Sequence, residues 1–234
     1  MVARYNGAVV NDTTFIVIPA FNEESVIGAI VTELRAAWTH VVVIDDGSTD
    51  RTGEAARAGG ATVLTHLINR GQGAALQTGI SYALEQGAEY VVTFDSDGQH
   101  RGEDIPALLA PLQTGAADVA LGSRFLGATE QMPLRRRILL QAAILFTRFA
   151  SGVHFTDTHN GLRAFTRSAA SRIELQMDRM AHASELLDQI VAARLRHVEV
   201  PVVVRYSDYS MGKGQRSSGA IRVLLDYVQG RWLR

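Results

Sequence analysis

Two aspartates one residue apart, Asp95 and Asp97 in Asp95-Ser-Asp-Gly-Gln-His100, can present oxygens to a single point. Hard cations such as Mg²⁺ or Mn²⁺ take oxygen ligands and keep positions open for substrate phosphates. Gln99 can add a neutral oxygen. Taken alone, the segment reads as an Asx-rich turn whose carboxylates cap the next helix. A second acidic motif is Asp45-Asp-Gly-Ser-Thr-Asp50. Its Asp46 can accept hydrogen bonds from a base N–H or from ribose hydroxyls, while Ser48, Thr49 or Asp50 caps the helix that follows. A third motif, Asn69-Arg-Gly-Gln-Gly73, precedes a helix. Glycines let backbone approach a phosphate, and a helix N-terminus favours anions. The motif is neither a P-loop nor a GxGxxG dinucleotide pattern.

The elements between these motifs decide how they are read. Thr14–Pro19, Val41–Ile44, Ala61–Leu64, Tyr90–Phe94 and Asp118–Leu121 are short apolar runs that predict strands. Glu23–Trp38, Asp50–Ala58, Gly73–Gln86 and Glu103–Leu112 have helical spacing. Apolar strands joined by helical crossovers predict a mostly parallel sheet with helices on both faces, a Rossmann-like α/β domain. In such sheets ligands collect at the carboxyl ends of the strands. Pro19-Ala-Phe-Asn-Glu23, Asp45–Asp50 and Asp95–His100 each follow a strand. They therefore share one rim, and together they read as a metal and nucleotide site. Further on, Leu134–Ser151 predicts a long amphipathic helix, Leu162–Thr166 a short segment, Ser184–Arg194 a helix and Val198–Val204 a strand. A polar loop, Ser207–Gly219, and a final helix, Ala220–Trp232, follow.

The chain has 234 residues, enough for one large domain and few for two. Neither an internal repeat nor a linker is visible, so a single domain over 1–234 is expected. Cysteine is absent, which excludes disulfides, a thiolate metal site and a cysteine nucleophile. Net charge is −1, but it is unevenly spread. Residues 1–130 hold 7 of the basic and 16 of the acidic side chains, and residues 131–234 hold 16 and 8. An acidic half suits metal binding and a basic half suits an anionic partner, although two solvated faces of opposite sign fit the charges equally. Lys213 is the one lysine, so arginine carries nearly all anion recognition. Met1–Asp12 lacks the basic start and apolar run of a signal peptide. The longest apolar stretch, Ile138–Ala150, is broken by Gln141 and Arg148 and is too short to span a bilayer.

Pro19-Ala-Phe-Asn-Glu-Glu24, Asp45–Asp50, Asn69-Arg-Gly-Gln-Gly-Ala-Ala-Leu76, Asp95–His100 and Gly122-Ser-Arg-Phe125 together resemble family 2 glycosyltransferases. Their order and spacing are most similar to the polyprenyl-phosphate sugar transferases of the dolichol-phosphate mannose synthase type, from about Thr14 to Gly219. The resemblance implies a single A-type glycosyltransferase domain, with 1–130 as the nucleotide-sugar and metal half and 131–234 as the acceptor half. It implies that Pro19, Phe21 and Glu23 line the nucleotide, with Phe21 in place of the family's usual tyrosine, and that Ile44 and Asp46 contact base and ribose. It puts Ser96 with the nucleotide sugar, Asp95, Asp97 and Gln99 on a Mg²⁺ or Mn²⁺ ion, and Arg124 on phosphate. Asp157-Thr-His-Asn-Gly-Leu-Arg163 resembles the family's Asp-x-x-Ser-Gly-Phe-Arg element near the acceptor, with Asn160 where the family has serine. Ser210-Met-Gly-Lys-Gly214 resembles the late loop whose lysine, here Lys213, closes over phosphates. The family's arginine upstream of that loop is unmatched, and Arg205 is a displaced substitute.

The reaction so implied is displacement at an anomeric carbon with inversion. Charge gathers on the departing diphosphate and must be neutralised at Asp97's metal, by Arg124 and by Lys213. A phosphate monoester acceptor is already largely ionised at pH 7 and needs cations rather than a general base. Arg135, Arg163 and Arg205 are the cations expected to hold it, with Asp157 orienting groups or acting electrostatically. Arg135-Arg136-Arg137 beside the apolar Ile138–Ala150 predicts a peripheral membrane contact on the cytoplasmic face. Packing on the sheet is the plainer alternative for that helix. Some relatives take membrane spans from small partner subunits, so a small membrane protein is a partner to expect. Nucleic acid is not. Two other readings stay open: transfer to a glycan hydroxyl in polysaccharide synthesis, and a non-catalytic nucleotide-sugar-binding protein.

Overall fold

The computed structural model describes residues 3–5, 8–10, 12–130, 155–176 and 181–206. The expected helix at Leu134–Ser151 with Arg135–Arg137, the loop with Lys213 and the helix Ala220–Trp232 lie outside the described residues. A hairpin of β1 (Ala3–Tyr5) and β2 (Ala8–Val10), not foreseen, precedes the main sheet. That sheet contains β3 (Thr14–Ala20), β4 (His40–Asp45), β5 (Thr62–Thr65), β6 (Tyr90–Thr93), β7 (Val119–Glu130), β8 (Arg163–Thr166) and β9 (His197–Arg205). Their order across the sheet is β5-β4-β3-β6-β8-β7-β9.

Six of the seven strands run in one direction, and β8 pairs antiparallel with both β6 and β7. β8 was legible as a short segment, but its reversal was not. The reversal has a consequence for function. The amino end of β8 lies on the same rim as the carboxyl ends of its neighbours, with Arg163 opposite Thr93 and Leu121. β7 also runs past the expected Asp118–Leu121, because it continues beside β9 through an irregularity between Ser123 and Ala128.

The strands alternate between two helical layers, as period-two side chains require. Ile16, Ile18, Val41, Val43 and Val92 pack with α1 (Ile27–Arg35), α2 (Thr52–Ala58) and α4 (Ile105–Gln113). Phe15, Val17, Val42, Ile44 and Val91 pack with α3 (Gln72–Glu85), α5 (Arg167–Ala170) and α6 (Ala181–Ala192). Every residue of β3 is buried, which is why its sequence is continuously apolar rather than alternating. Truncating Ile16 or Ile18 to alanine would cost about 2–5 kcal/mol.

Candidate active site

The rim loops are fastened to one another before they hold anything else. Asn22, in the left-handed region at φ 55°, accepts from the Thr49 amide (2.8 Å), and its own amide donates to Ser48 Oγ (3.0 Å). The Glu23 amide donates to Thr52 Oγ1 (2.7 Å). Asp45 Oδ1 accepts from the Ser48 amide (3.0 Å), and Asp50 Oδ1 accepts from Thr52 N (3.0 Å) at the start of α2. The N-cap position itself is Arg51, which makes no side-chain cap bond; of the residues weighed as caps, Asp50 reaches the first amide of α2 from one residue before the N-cap.

Asp46 is buried and fixes the next loop. Its Oδ1 meets His66 Nδ1 (2.6 Å) and the Arg70 amide (2.9 Å), and its Oδ2 accepts from the Gly71 amide (2.8 Å). His66 Nε2 is in turn 3.0 Å from Thr78 Oγ1 on α3. The loop passes close to Gly47, where φ is +72° and a Cβ would lie 2.6 Å from the Ile68 carbonyl carbon. His66, which reads in sequence as a strand-flanking structural residue, is thus the partner of a rim carboxylate.

These loops enclose a cavity of about 460 Å³. Of the residues expected from sequence, Pro19, Phe21, Glu23, Asp46, Asp95, Ser96, Asp97, Gln99, Arg124 and Arg163 line it. Ile44 does not, because it is fully buried between the sheet and α3. Asp157 is buried behind Arg124 and is not part of the lining. Arg205 ends β9 with an exposed side chain, its amide donating to the Gln99 carbonyl (2.9 Å). Lys213 and Arg135 lie outside the described residues. Asn69, Gly71 and Gln72 of the loop before α3, the histidines His100 and His159, and His182 and Ala183 of α6 complete much of the wall. The loop and the first two histidines sit in motifs visible in sequence. His182 carries no such signal, being a single histidine at the start of a helix.

The two carboxylates are shifted in opposite directions. Asp95 accepts from Gln72 Nε2 (3.2 Å) and pairs with His100 Nε2 (3.0 Å). Burial pushes its carboxyl up, but the hydrogen bond and charge of His100, with Arg163 and His182, outweigh burial and hold it below the usual range. Gly161 is required beside it, since a Cβ there would lie 2.1 Å from Asp95 Oδ2. Asp97 accepts from the Gln99 amide (3.0 Å). Burial, then the charges of Asp95 and Glu23, push Asp97 above the usual range, against the opposing pull of His100 and the Gln99 amide.

The cationic side of the cavity contains two buried arginines. Arg124 is held by Asp157 Oδ2 through its amide (3.1 Å) and Nε (2.6 Å), by Tyr206 Oη (2.9 Å) and by the His159 carbonyl (3.1 Å). Glu199 on β9 accepts from the Thr156 amide (2.8 Å) and hydroxyl (2.7 Å) and from the Asp157 amide (3.2 Å), fixing the loop that carries Asp157. Arg163 is different. It is 4% exposed, yet among the described residues its guanidinium makes neither a hydrogen bond nor an ion pair. Burial lowers its pKa to about 10 despite the longer-range pull of Asp95 and Asp157. His159 is also lowered, first by burial and then by Arg124 and Arg163, against the pull of Asp157. It is therefore neutral at pH 7.

Residues 15–173 match the model of the family described as "Glycosyl transferase family 2". The chain is 31% identical over 222 residues to a UDP-N-acetylglucosamine–dolichyl-phosphate N-acetylglucosaminyltransferase of Methanococcus voltae, covering 86% of this chain and 88% of that one. It is 32% identical over 224 residues to a polyprenol monophosphomannose synthase of Mycolicibacterium smegmatis, covering 89% and 83%. In structure it resembles glucosyl-3-phosphoglycerate synthase of Mycobacterium tuberculosis, solved with Mn²⁺, uridine-diphosphate-glucose and phosphoglyceric acid. The TM-score is 0.71 with 21% identity, over 93% of this chain and 79% of that one.

Proposed function

This chain belongs to glycosyl transferase family 2 and is a glycosyltransferase of the A-type fold, and on that premise we propose that it moves a sugar from a nucleoside-diphosphate sugar to a polyprenyl phosphate, with inversion and with the help of Mg²⁺ or Mn²⁺. The observation that carries the acceptor half of this reading is Arg163. A guanidinium buried in a cavity wall with no hydrogen bond or ion pair among the described residues is costly to keep, and a phosphate monoester would complete it bidentately. Two relatives that the chain resembles over most of its length are named for acting on dolichyl and polyprenol phosphates.

The donor half rests on the acidic side. Asp95 and Asp97 supply hard oxygen donors, and the Asp97 carboxyl is raised by burial and then by the charges of Asp95 and Glu23. Among the described residues no three His, Cys, Asp or Glu side chains gather as a metal site. Two carboxylates therefore fit an ion that takes its remaining ligands from substrate oxygens and water, as Mg²⁺ and Mn²⁺ do. When bound, such an ion supplies positive charge to the departing diphosphate. Asp97, with Asp95 and Gln99 beside it, would hold the ion. Phe21 would stack on the nucleotide at the cavity mouth, and Arg124, fixed by Asp157 and Tyr206, would meet phosphate.

Asp157 is not a general base in this scheme. Its carboxylate is occupied by the Arg124 amide and Nε and by the His159 amide (3.3 Å). A hydroxyl acceptor would need a base, and a phosphate acceptor does not. The acceptor-half role of residues 131–234, a peripheral cytoplasmic-face location and docking on a small membrane protein belong to the same proposal. Among the described residues no helix is long and apolar enough to cross a membrane. The test is partition of radiolabelled sugar between an organic phase and water, offering polyprenyl phosphate and soluble glycans as competing acceptors. Label in the organic phase supports the proposal, and label in glycans alone overturns it.

A further inference from the structure

α6 starts at Ala181, and its second and third residues, His182 and Ala183, line the cavity. His182 is 5% exposed and acts electrostatically on Asp95. The amides of a helix's first turn have no intrahelical acceptor and carry the positive end of its dipole. A helix N-terminus facing a cavity is therefore ready to receive an anion. That alone would be weak. The second observation is independent of it: Arg163, from β8, is 96% buried, lines the same cavity and has no hydrogen bond or ion pair among the described residues.

We propose that Arg163, His182 and the first turn of α6 form one anion subsite that holds the acceptor's phosphate monoester, apart from the place of the donor's diphosphate. The proposal rests on the acceptor reading above and deepens it by giving the phosphate a second wall, on an element that none of the sequence motifs singles out. His182 presents its imidazole to the same cavity. Ala183 presents only a methyl group to the cavity.

Calorimetry on the full chain tests this, with farnesyl phosphate as the acceptor probe and nucleoside diphosphate with Mn²⁺ as the donor-side control. His182→Ala should weaken farnesyl phosphate about tenfold, the effect of one hydrogen bond to a charged group. It should lower the nucleotide affinity far less, since His182 bears on the donor side only through its charge on Asp95, and an unchanged thermal melt shows that the variant is folded. His182→Gln, which keeps a donor, should retain most of the affinity. Inorganic phosphate should compete with farnesyl phosphate in the wild type and less well in His182→Ala. Equal farnesyl phosphate affinity in wild type and His182→Ala, or an equal loss on the nucleotide, would overturn the subsite while leaving the acceptor reading standing. A wild type that binds no monophosphate yet glycosylates a glycan hydroxyl would overturn the acceptor reading itself. Tighter binding of 3-phosphoglycerate than of farnesyl phosphate would overturn the lipid source.

Discussion

Asp157 Oδ2 accepts both the backbone amide and the Nε of Arg124, at 3.1 and 2.6 Å, so one carboxylate oxygen sets the position and the aim of that arginine. Both side chains are at most 5% exposed. Removing one member of a buried pair leaves the other charged and unpaired, at a cost of about 3–5 kcal/mol. Asp157→Ala should therefore lose stability on that scale in urea denaturation and should lose turnover as well. A loss below about 1 kcal/mol would mean that solvent or another anion replaces Asp157.

Arg163 is expected to behave in the opposite way. Its folded pKa of about 10 lies below the ordinary guanidinium value. Folding thus disfavours its charge at every pH below about 10, and stability from this group rises with pH only above about 10, until the ordinary guanidinium value is reached. Arg163→Gln should leave the ligand-free protein as stable as the wild type, or more stable by up to about 3 kcal/mol, while abolishing transfer. Thermal melts without ligand, read beside transfer rates, check this. A marked loss of stability would make Arg163 a structural residue.

His159 gives a pH signature. Its folded pKa is depressed below 6.5, chiefly by burial. The unfolded chain therefore binds its proton first on acidification, and stability falls as pH drops below about 6.5. Melting temperature followed from pH 7.5 to 5 should fall less steeply in His159→Gln than in the wild type. Parallel curves would assign the acid limb to other groups.

Asp46 ties the loop before α3 to the rim through His66 and the amides of Arg70 and Gly71. Asp46→Ala leaves those donors without an acceptor, a loss of about 1–3 kcal/mol. It should also weaken nucleotide binding, because Asn69, Gly71 and Gln72 line the cavity. Calorimetry with the nucleoside diphosphate decides. Unchanged affinity would confine Asp46 to a structural role.

The strand ends were legible because each apolar run stops at a polar motif, and the parallel order followed from the helical crossovers. The reversal of β8 was not legible, since nothing in the five residues Leu162-Arg-Ala-Phe-Thr166 signals the direction in which the segment runs. That reversal brings Arg163 to the rim beside Asp95. Glu199 reads in sequence as one residue of a strand, and its role depends on Thr156 lying across from it, a contact 43 residues away. His182 was hidden for the same reason, because nothing near it in sequence points to the cavity. Ile44 shows the converse: the motif put it beside the nucleotide, and the period-two packing of β4 puts its side chain in the layer under α3.

The central claim is metal-dependent transfer of a sugar to a phosphate oxygen, and phosphorus NMR of the acceptor reads it directly. Polyprenyl phosphate should be incubated with a panel of nucleoside-diphosphate sugars and Mn²⁺, with and without excess EDTA, using wild type and Asp97→Ala. The account predicts that the monoester resonance converts to a phosphodiester with one donor in the panel, and that neither EDTA-treated nor Asp97→Ala protein converts it. Conversion undiminished in excess EDTA would contradict the metal role. An unchanged monoester resonance while sugar is transferred to a glycan hydroxyl would contradict the acceptor.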